Sequence, residues 1–192
     1  MTTKKTAISI ILGALIIFIW NAISWMALPF HTDSMMNLPE DAISMSQLSN
    51  TLTESGLYHY PGLPDGSPES QKAIEDKLAM GPRITMMIFQ KGPSSMYNPG
   101  DFFLTFIFNL IVVAILLYIV NKIGKKTQNN IFTTCVFAGI LVSFQSDMAL
   151  MNWYKFPIGY TVANIFDHII AFGLVGLLFS NYTFKNSPLS ND

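Results

Sequence analysis

Charged residues are scarce in this sequence: 12% of the 192 residues are charged, whereas 51% are hydrophobic. The charged fraction is about half that of an ordinary soluble domain, which disfavours a typical water-soluble globule. No basic block or arginine cluster occurs and the net charge is -1, so nothing supplies the phosphate attraction that nucleic-acid binding needs. These scarcities exclude nucleic acid as the main partner and indicate a membrane protein, whose first partner is the lipid bilayer.

Cysteine and the common catalytic motifs are also scarce or missing. The one cysteine, Cys135, can form neither an internal disulfide nor a thiolate cage for zinc, and its apolar surroundings favour the role of a small hydrophobic residue. Neither G-x-S-x-G nor H-E-x-x-H occurs. We therefore assign no catalytic residue and no cofactor, and a binding role is favoured over an enzymatic one.

Four apolar segments are long enough to cross a hydrocarbon core about 30 Å thick, which takes about 20 helical residues. They cover residues 7–28, 102–120, 131–150 and 160–180. The first is longer than the apolar core of a signal peptide, which has about 7 to 15 residues, so we expect it to stay in the membrane. The predicted fold is an all-α membrane protein, a four-helix bundle with antiparallel neighbours. Its predicted parts are 1–28 (N-terminus and first span), 29–101 (extracytoplasmic cap), 102–180 (three spans) and 181–192 (tail).

The lysines near the span ends predict the orientation, because cationic loops stay on the cytoplasmic side. Six of them fall on one side: Lys4, Lys5, Lys122, Lys125, Lys126 and Lys185. On the other side only Lys91 and Lys155 lie close to a span end. Both termini are therefore expected in the cytoplasm.

Residues 29–101 are predicted to form a small α or α+β cap between the first two spans. Pro39, Glu40 and Asp41 are typical of a first helical turn, with Gly56 as the stop. A second helix is predicted from the N-cap Ser67 to about Gly81. Residues 57–60 and 84–90 could be strands, and their pairing is left open. The stripe of Met45, Leu48 and Leu52 has little chain around it, so we expect the cap to cover the outer ends of the spans.

Polar residues inside the spans are the best candidates for function. Ionisable groups at that depth are costly and usually face the bundle or a wet cavity. The ligand or proton-relay candidates lie mostly in the outer half: Asp167, His168, Asp147, Asn164, Asn21 and Asn109. Ser24 and Gln145 accompany them. Two interpretations are open, either hydrogen bonds that hold the helices together, or a proton-coupled or ion-binding site at Asp167 and His168.

Methionine suggests a weaker hypothesis. Thioethers suit Cu(I), and His31 with Met35, or Met148 with Met151, has the spacing of one helical turn. Methionine is also a common filler of irregular apolar contacts, and no repeated Met-x-x-Met array occurs. Packing is therefore favoured, and these four residues remain weak metal candidates.

Three strings carry a resemblance: WNAISWMALPFH at the end of the first span, GLYHYPGLPDG in the loop, and NWYKFPIGYTVANIFDHIIAFGLVGLLFS near the end. The sequence resembles bacterial four-span inner-membrane proteins that have no assigned activity. The resemblance implies topology and localisation, and it transfers no functional residue. The favoured function is a non-catalytic accessory or assembly component of a membrane complex, bound to another membrane protein or to its own copies. The alternative is a small ion- or proton-coupled transporter or a ligand receptor.

Overall fold

The computed structural model describes residues 2–39, 41–95 and 97–185, without the side chain of Ala42. Glu40 of the predicted cap helix and residues 186–192 of the predicted tail lie outside them. In chain order the elements are α1 (Thr3–Met26), α2 (Ala42–Thr51), β1 (Gly56–Tyr60), α3 (Pro68–Met80), β2 (Ile84–Phe89), α4 (Pro99–Lys122), α5 (Gln128–Gln145), α6 (Asp147–Tyr154) and α7 (Ile158–Leu178). The chain divides into two units, residues 1–36 with 97–192, and residues 37–96.

The first unit contains four helical segments that are long and apolar enough to cross a membrane: Thr3–Met26, Pro99–Lys122, Gln128–Tyr154 and Ile158–Thr183. The predicted all-α fold with four spans is therefore confirmed, and the chain has the character of a multi-pass membrane protein. Each helical segment begins two to four residues before the predicted apolar run, and the first one ends at Met26, two residues before the predicted end at residue 28. The extension comes from polar caps: the side chains of Thr2, Asn98 and Thr127 accept hydrogen bonds from the first turns of α1, α4 and α5.

Two helix pairs form the bundle. α4 packs on α1, α5 packs on α7, and α1 joins the pairs by packing on α7. The core of the bundle consists of fully buried apolar side chains, among them Ala14, Val113, Val120, Cys135, Val175 and Phe179. We call the end of the bundle where α1 ends and α4 begins the loop end, and the opposite end the terminal end. At the terminal end Thr183 donates a buried hydrogen bond of 2.9 Å to Ser9.

The third span is distorted near its loop end, which the apolar pattern does not predict. Helix α5 stops at Gln145 and α6 begins at Asp147, with Ser146 between them at φ -101° and ψ -66°. The Ser146 hydroxyl donates to the carbonyl of Val142 at 2.8 Å, a type of back-bonding that bends helices. α6 ends at Tyr154, and the next residue, Lys155, has a left-handed φ of 62° from which the chain turns into α7.

The second unit has two helices and a two-stranded antiparallel sheet, in which β1 pairs with β2. Helix α3 starts after the N-cap Ser67 and ends before Gly81, as predicted. Helix α2 is shorter than predicted, because it ends at Thr51 and Gly56 begins β1 instead. Asp41 is its N-cap rather than part of its first turn. The backbone N–H of Ser44 donates to the Asp41 carboxylate at 2.8 Å and holds the pKa of that carboxyl below its usual value.

Candidate functional site

A buried histidine and a buried aspartate meet inside the loop-end half of the bundle. His31 Nε2 lies 2.9 Å from Asp167 Oδ2, and His31 is fully buried. Asp167 is nine residues into α7, which is about 14 Å from its first residue at 1.5 Å per residue. The sequence separates these two residues by 136 positions. The pair joins the segment after α1 to the middle of α7.

Helix α1 completes the surroundings of this pair. The indole Nε1 of Trp20 donates to Asp167 Oδ1 at 3.2 Å, and the Ser24 hydroxyl lies 3.4 Å from His31 Nε2. The Trp25 ring stacks on the imidazole with a centroid distance of 3.9 Å. We call His31, Asp167, Trp20 and Ser24 the His31 network. Among the residues that the structure describes, His31 Nδ1 has no hydrogen-bond partner.

The chain after α1 folds back so that His31 can enter the bundle. Pro29 follows the end of α1, and a 3-10 turn at Thr32–Ser34 contacts α7. The turn lies close to Gly159 at the start of α7, where an added Cβ atom would meet the Ser34 hydroxyl, the end of a side chain that can rotate away. Residues 29–36 therefore belong structurally with the spans, although the sequence places them in the outer segment.

A second histidine–aspartate pair links α7 to the third span. His168 Nδ1 lies 3.0 Å from Asp147 Oδ2 and 3.2 Å from the Ser143 hydroxyl. We call His168 and Asp147 the His168 pair. Asp147 is 7% exposed and is the first residue of α6, directly after the distortion at Ser146. Because Asp167 and His168 are adjacent in α7, their side chains leave the helix about 100° apart and enter two different contacts.

Each pair has a serine beside it, but neither has the geometry of a catalytic triad. In a triad the serine uses one ring nitrogen of the histidine and the aspartate holds the other, so that the ring transfers a proton between them. Here Ser24 and Asp167 both contact Nε2 of His31, and Ser143 and Asp147 both contact Nδ1 of His168. The Ser143 hydroxyl also donates to the carbonyl of Gly139. These arrangements suit structural hydrogen bonding and not activation of a nucleophile.

The remaining candidates lie in other places. Asn109 and Asn21 line a groove of about 600 Å³, which His168 also borders. Asn109 is 8% exposed, and its Nδ2 has no hydrogen-bond partner within the described part of the chain. Asn164 donates to the carbonyl of Tyr160 one turn earlier in α7. The six candidates thus do not form one cluster: Asp167 belongs to the His31 network, Asn164 bonds within its own helix, and the two groove asparagines share their groove with His168 of the His168 pair.

The weak metal candidates have different surroundings. His31 contacts Asp167 and Trp25, Met35 is exposed, and Met148 and Met151 are half-buried in α6. Within residues 2–39, 41–95 and 97–185, no group of three or more histidine, cysteine, aspartate or glutamate side chains is placed to hold a metal ion.

Several contacts around His31 and His168 were not indicated by the sequence. Trp20, Ser24 and Ser143 contribute polar atoms, and Tyr160 lies edge-on to His31 at 5.7 Å. The sequence contains one signal of this site: Trp20 and Ser24 are at positions i and i+4, so both lie on one face of α1. No signal in the sequence connects that face with Asp167.

No protein-family model, curated protein or solved structure matches this chain. A function therefore has to be inferred from the geometry of its own residues.

Proposed function

We propose that this chain is a non-catalytic accessory or assembly component of a complex in a bacterial cytoplasmic membrane. Its partner is another membrane protein or a second copy of the chain. The observation that supports this proposal is the geometry of the two histidine–aspartate pairs, in which serine and aspartate share one ring nitrogen. Such pairs fix helices relative to one another, and a fixed bundle is what a docking component has to present.

Both pairs lie between parts of the chain that are distant in sequence. The His31 network fastens the end of α1 and the following turn to α7, and the His168 pair fastens α6 to α7. Interhelical hydrogen bonds in membranes contribute about 0.6 kcal/mol each on average. The His31 network and the His168 pair together make several such bonds, and they favour one arrangement of the helices at the loop end.

A double variant, Asp167→Asn with His168→Gln, tests this function. Both replacements keep hydrogen-bonding capacity and remove ionisable groups, so a docking component should keep its partner. We expect the mild-detergent extract of the variant to give a complex of wild-type size and stoichiometry on native electrophoresis and native mass spectrometry. A complex that dissociates although the variant folds, or a wild-type protein that purifies as a bare monomer, would contradict the accessory function.

One observation favours a second candidate, a small proton- or ion-coupled transporter or ligand receptor. Asp167 and His168 are consecutive residues, and each belongs to a different histidine–aspartate contact, so one step along α7 connects two ionisable pairs. In that case the same double variant should lose pH-driven uptake in proteoliposomes while its oligomeric state stays unchanged. Measuring both uptake and oligomeric state of this one double variant therefore distinguishes the two candidate functions.

The proposed orientation has both termini in the cytoplasm. It is supported by six lysines at the terminal end of the spans against Lys91 and Lys155 at the other side. A topology reporter fused after Lys126 should report a cytoplasmic position. The same reporter inserted beside Asp65 should report an external position. The reverse pattern in both fusions would refute this orientation.

A further inference from the structure

A groove opens along the side of the bundle between α4 and α5. Because α4 packs on α1 and α5 packs on α7, the two helices touch each other little, and the seam between the helix pairs stays open. The groove has a volume of about 600 Å³, within the range of about 300–1,000 Å³ that is usual for small-molecule sites. Its walls include the exposed side chains of Ile115, Ile119, Phe137 and Leu141. We call this feature the lateral groove.

The lateral groove runs along one leaflet of the membrane. On α4 it is lined from Asn109 to Ile119, which is about 15 Å at 1.5 Å per residue. Asn109 lies about 15 Å along α4 from its first residue, Pro99, and so near the middle of a hydrocarbon core about 30 Å thick. The other end of the groove lies near the membrane surface at the terminal end of the bundle. The groove therefore has the length of one layer of lipid acyl chains.

The wall of the lateral groove is mainly apolar. Asn109 Nδ2 is buried beneath this wall and is not accessible from the groove. The Thr134 hydroxyl donates to the carbonyl of Asn130 at 2.6 Å, within its own helix. An aliphatic chain suits such a wall, because its burial there removes apolar surface from other surroundings and breaks no hydrogen bond.

A cationic cluster lies where the lateral groove reaches the terminal end. It consists of Lys122, Lys125 and Lys126, at the end of α4 and in its connection to α5. Lys122 is three residues beyond Ile119, so it continues the face of α4 that lines the groove. Its Nζ lies 5.2 Å from the centroid of the Tyr118 ring, a contact that does not neutralise its charge. The sequence has no acidic residue from Phe102 to Ser146, so this part of α4 and α5 supplies no counter-charge.

The connection between α4 and α5 is held in place by its own hydrogen bonds. Asn130 Nδ2 donates to the carbonyl of Lys125 at 2.9 Å, and Lys126 Nζ donates to the carbonyl of Ile123 at 3.0 Å. An ammonium group carries several N–H donors, so this bond leaves Lys126 able to donate to a second group. The cationic cluster is therefore fixed at one end of the groove.

We propose that the lateral groove binds a membrane phospholipid with an anionic head group. The phosphate lies near Lys122 and Lys126, and one acyl chain lies in the groove along Ile119 and Ile115. The lysines and the apolar wall thus occur where the head group and the chain of one lipid molecule lie. Basic pockets between transmembrane helices at a membrane surface bind anionic lipid head groups in this way. A zwitterionic lipid has the same chains and no net charge, so it gains less from the lysines.

The test measures lipid binding to the full-length, detergent-purified protein by native mass spectrometry. The protein is titrated with dioleoyl phosphatidylglycerol or with dioleoyl phosphatidylcholine, which have the same chains and differ in head-group charge. We expect wild type to bind the anionic lipid more tightly. Lys122→Gln should bind it about fivefold more weakly than wild type, which is the contribution of one lysine at a membrane surface. Equal affinity of wild type for the two lipids would overturn the proposal.

Lys5→Gln is the matched control for this substitution. Lys5 lies at the same end of the bundle, and its Nζ is 5.6 Å from the centroid of the Tyr182 ring, in the segment that follows α7. The change removes the same charge away from the connection between α4 and α5, so this variant should bind the anionic lipid as wild type does. Equal weakening by Lys5→Gln and Lys122→Gln would show a general attraction to the terminal end, and would overturn the groove as the site.

Further measurements separate the lipid from other occupants and from a folding defect. Lys122 is exposed at the end of α4, so Lys122→Gln should melt as wild type does. Lys122→Arg keeps the charge and should bind the anionic lipid as wild type does. Glycerol phosphate that displaces the lipid at equal concentration would show a site for phosphate alone. Lipid-insensitive crosslinking between cysteines placed at Leu141 would show a groove closed by a second copy. Either result would overturn the proposal.

Discussion

Replacing Asp167 by leucine should substantially lower the stability of the detergent-purified protein, because it breaks a buried pair. The substitution leaves His31 buried without its carboxylate and removes the acceptor of the Trp20 indole. Removing one member of a buried pair costs about 3 kcal/mol or more. For a chain of this length that corresponds to a fall of roughly 6 to 12 °C in melting temperature.

Ile170→Leu is the control for this substitution. Ile170 lines the same cavity as Asp167 and lies one helical turn further along α7, so it reports on repacking at the same place. A volume-conserving change of this kind costs less than about 1.5 kcal/mol. Equal melting shifts for Asp167→Leu and Ile170→Leu would mean that Asp167 has no structural partner in the membrane.

A double-mutant cycle shows whether His31 is that partner. If the two side chains stabilise each other, His31→Leu combined with Asp167→Leu should cost less than the sum of the two single changes. Leucine is apolar, so the double variant has neither an unpaired imidazole nor an unpaired carboxylate. Additive losses would indicate that Asp167 acts through Trp20 alone.

The spans could be predicted from the sequence because their signals are local. Each apolar run is about as long as a membrane requires, and the capping residues that extend α1, α4 and α5 lie four or five positions before those runs. The cap helix α3 could also be predicted from the sequence, since Ser67, Pro68 and Gly81 mark its ends. Helix α2 starts later and ends earlier than predicted, because Asp41 caps its first turn, Leu52 is already extended and the chain from Gly56 pairs with β2.

The candidate site could be predicted only in part, because its contacts are not local. Helical spacing places Asp167 and His168 about 100° apart on α7, yet it does not say which neighbour each one meets. The sequence offered His31 as a weak metal candidate beside Met35, and its contact with Asp167 depends on the chain folding back after Pro29. Likewise, the contact of Asp147 with His168 depends on the distortion at Ser146.

The close packing of α5 on α7 makes Gly139 the second position where a small change should have a large effect. A Cβ atom at Gly139 would lie 2.7 Å from the backbone oxygen of His168 and 3.3 Å from the Cβ of Phe172. The first distance is too short for any rotamer change to relieve, because the obstacle is backbone. Small residues at such crossings let membrane helices approach closely. Gly139→Ala should therefore push α5 away from α7.

We expect Gly139→Ala to destabilise the detergent-purified protein by about 2 kcal/mol, the usual cost of overpacking a close contact. Gly173→Ala is the matched control in the same helix pair, since a Cβ atom there would meet its nearest neighbour, the Phe132 ring, at an ordinary 3.7 Å. It should be neutral or stabilising, because alanine is the better helix former by about 1 kcal/mol. Thermal melting of the two variants measures the difference. If Gly139→Ala melts as Gly173→Ala does, α5 and α7 do not approach as closely as their backbones indicate, and the contact of His168 with Ser143 and Asp147 loses its support.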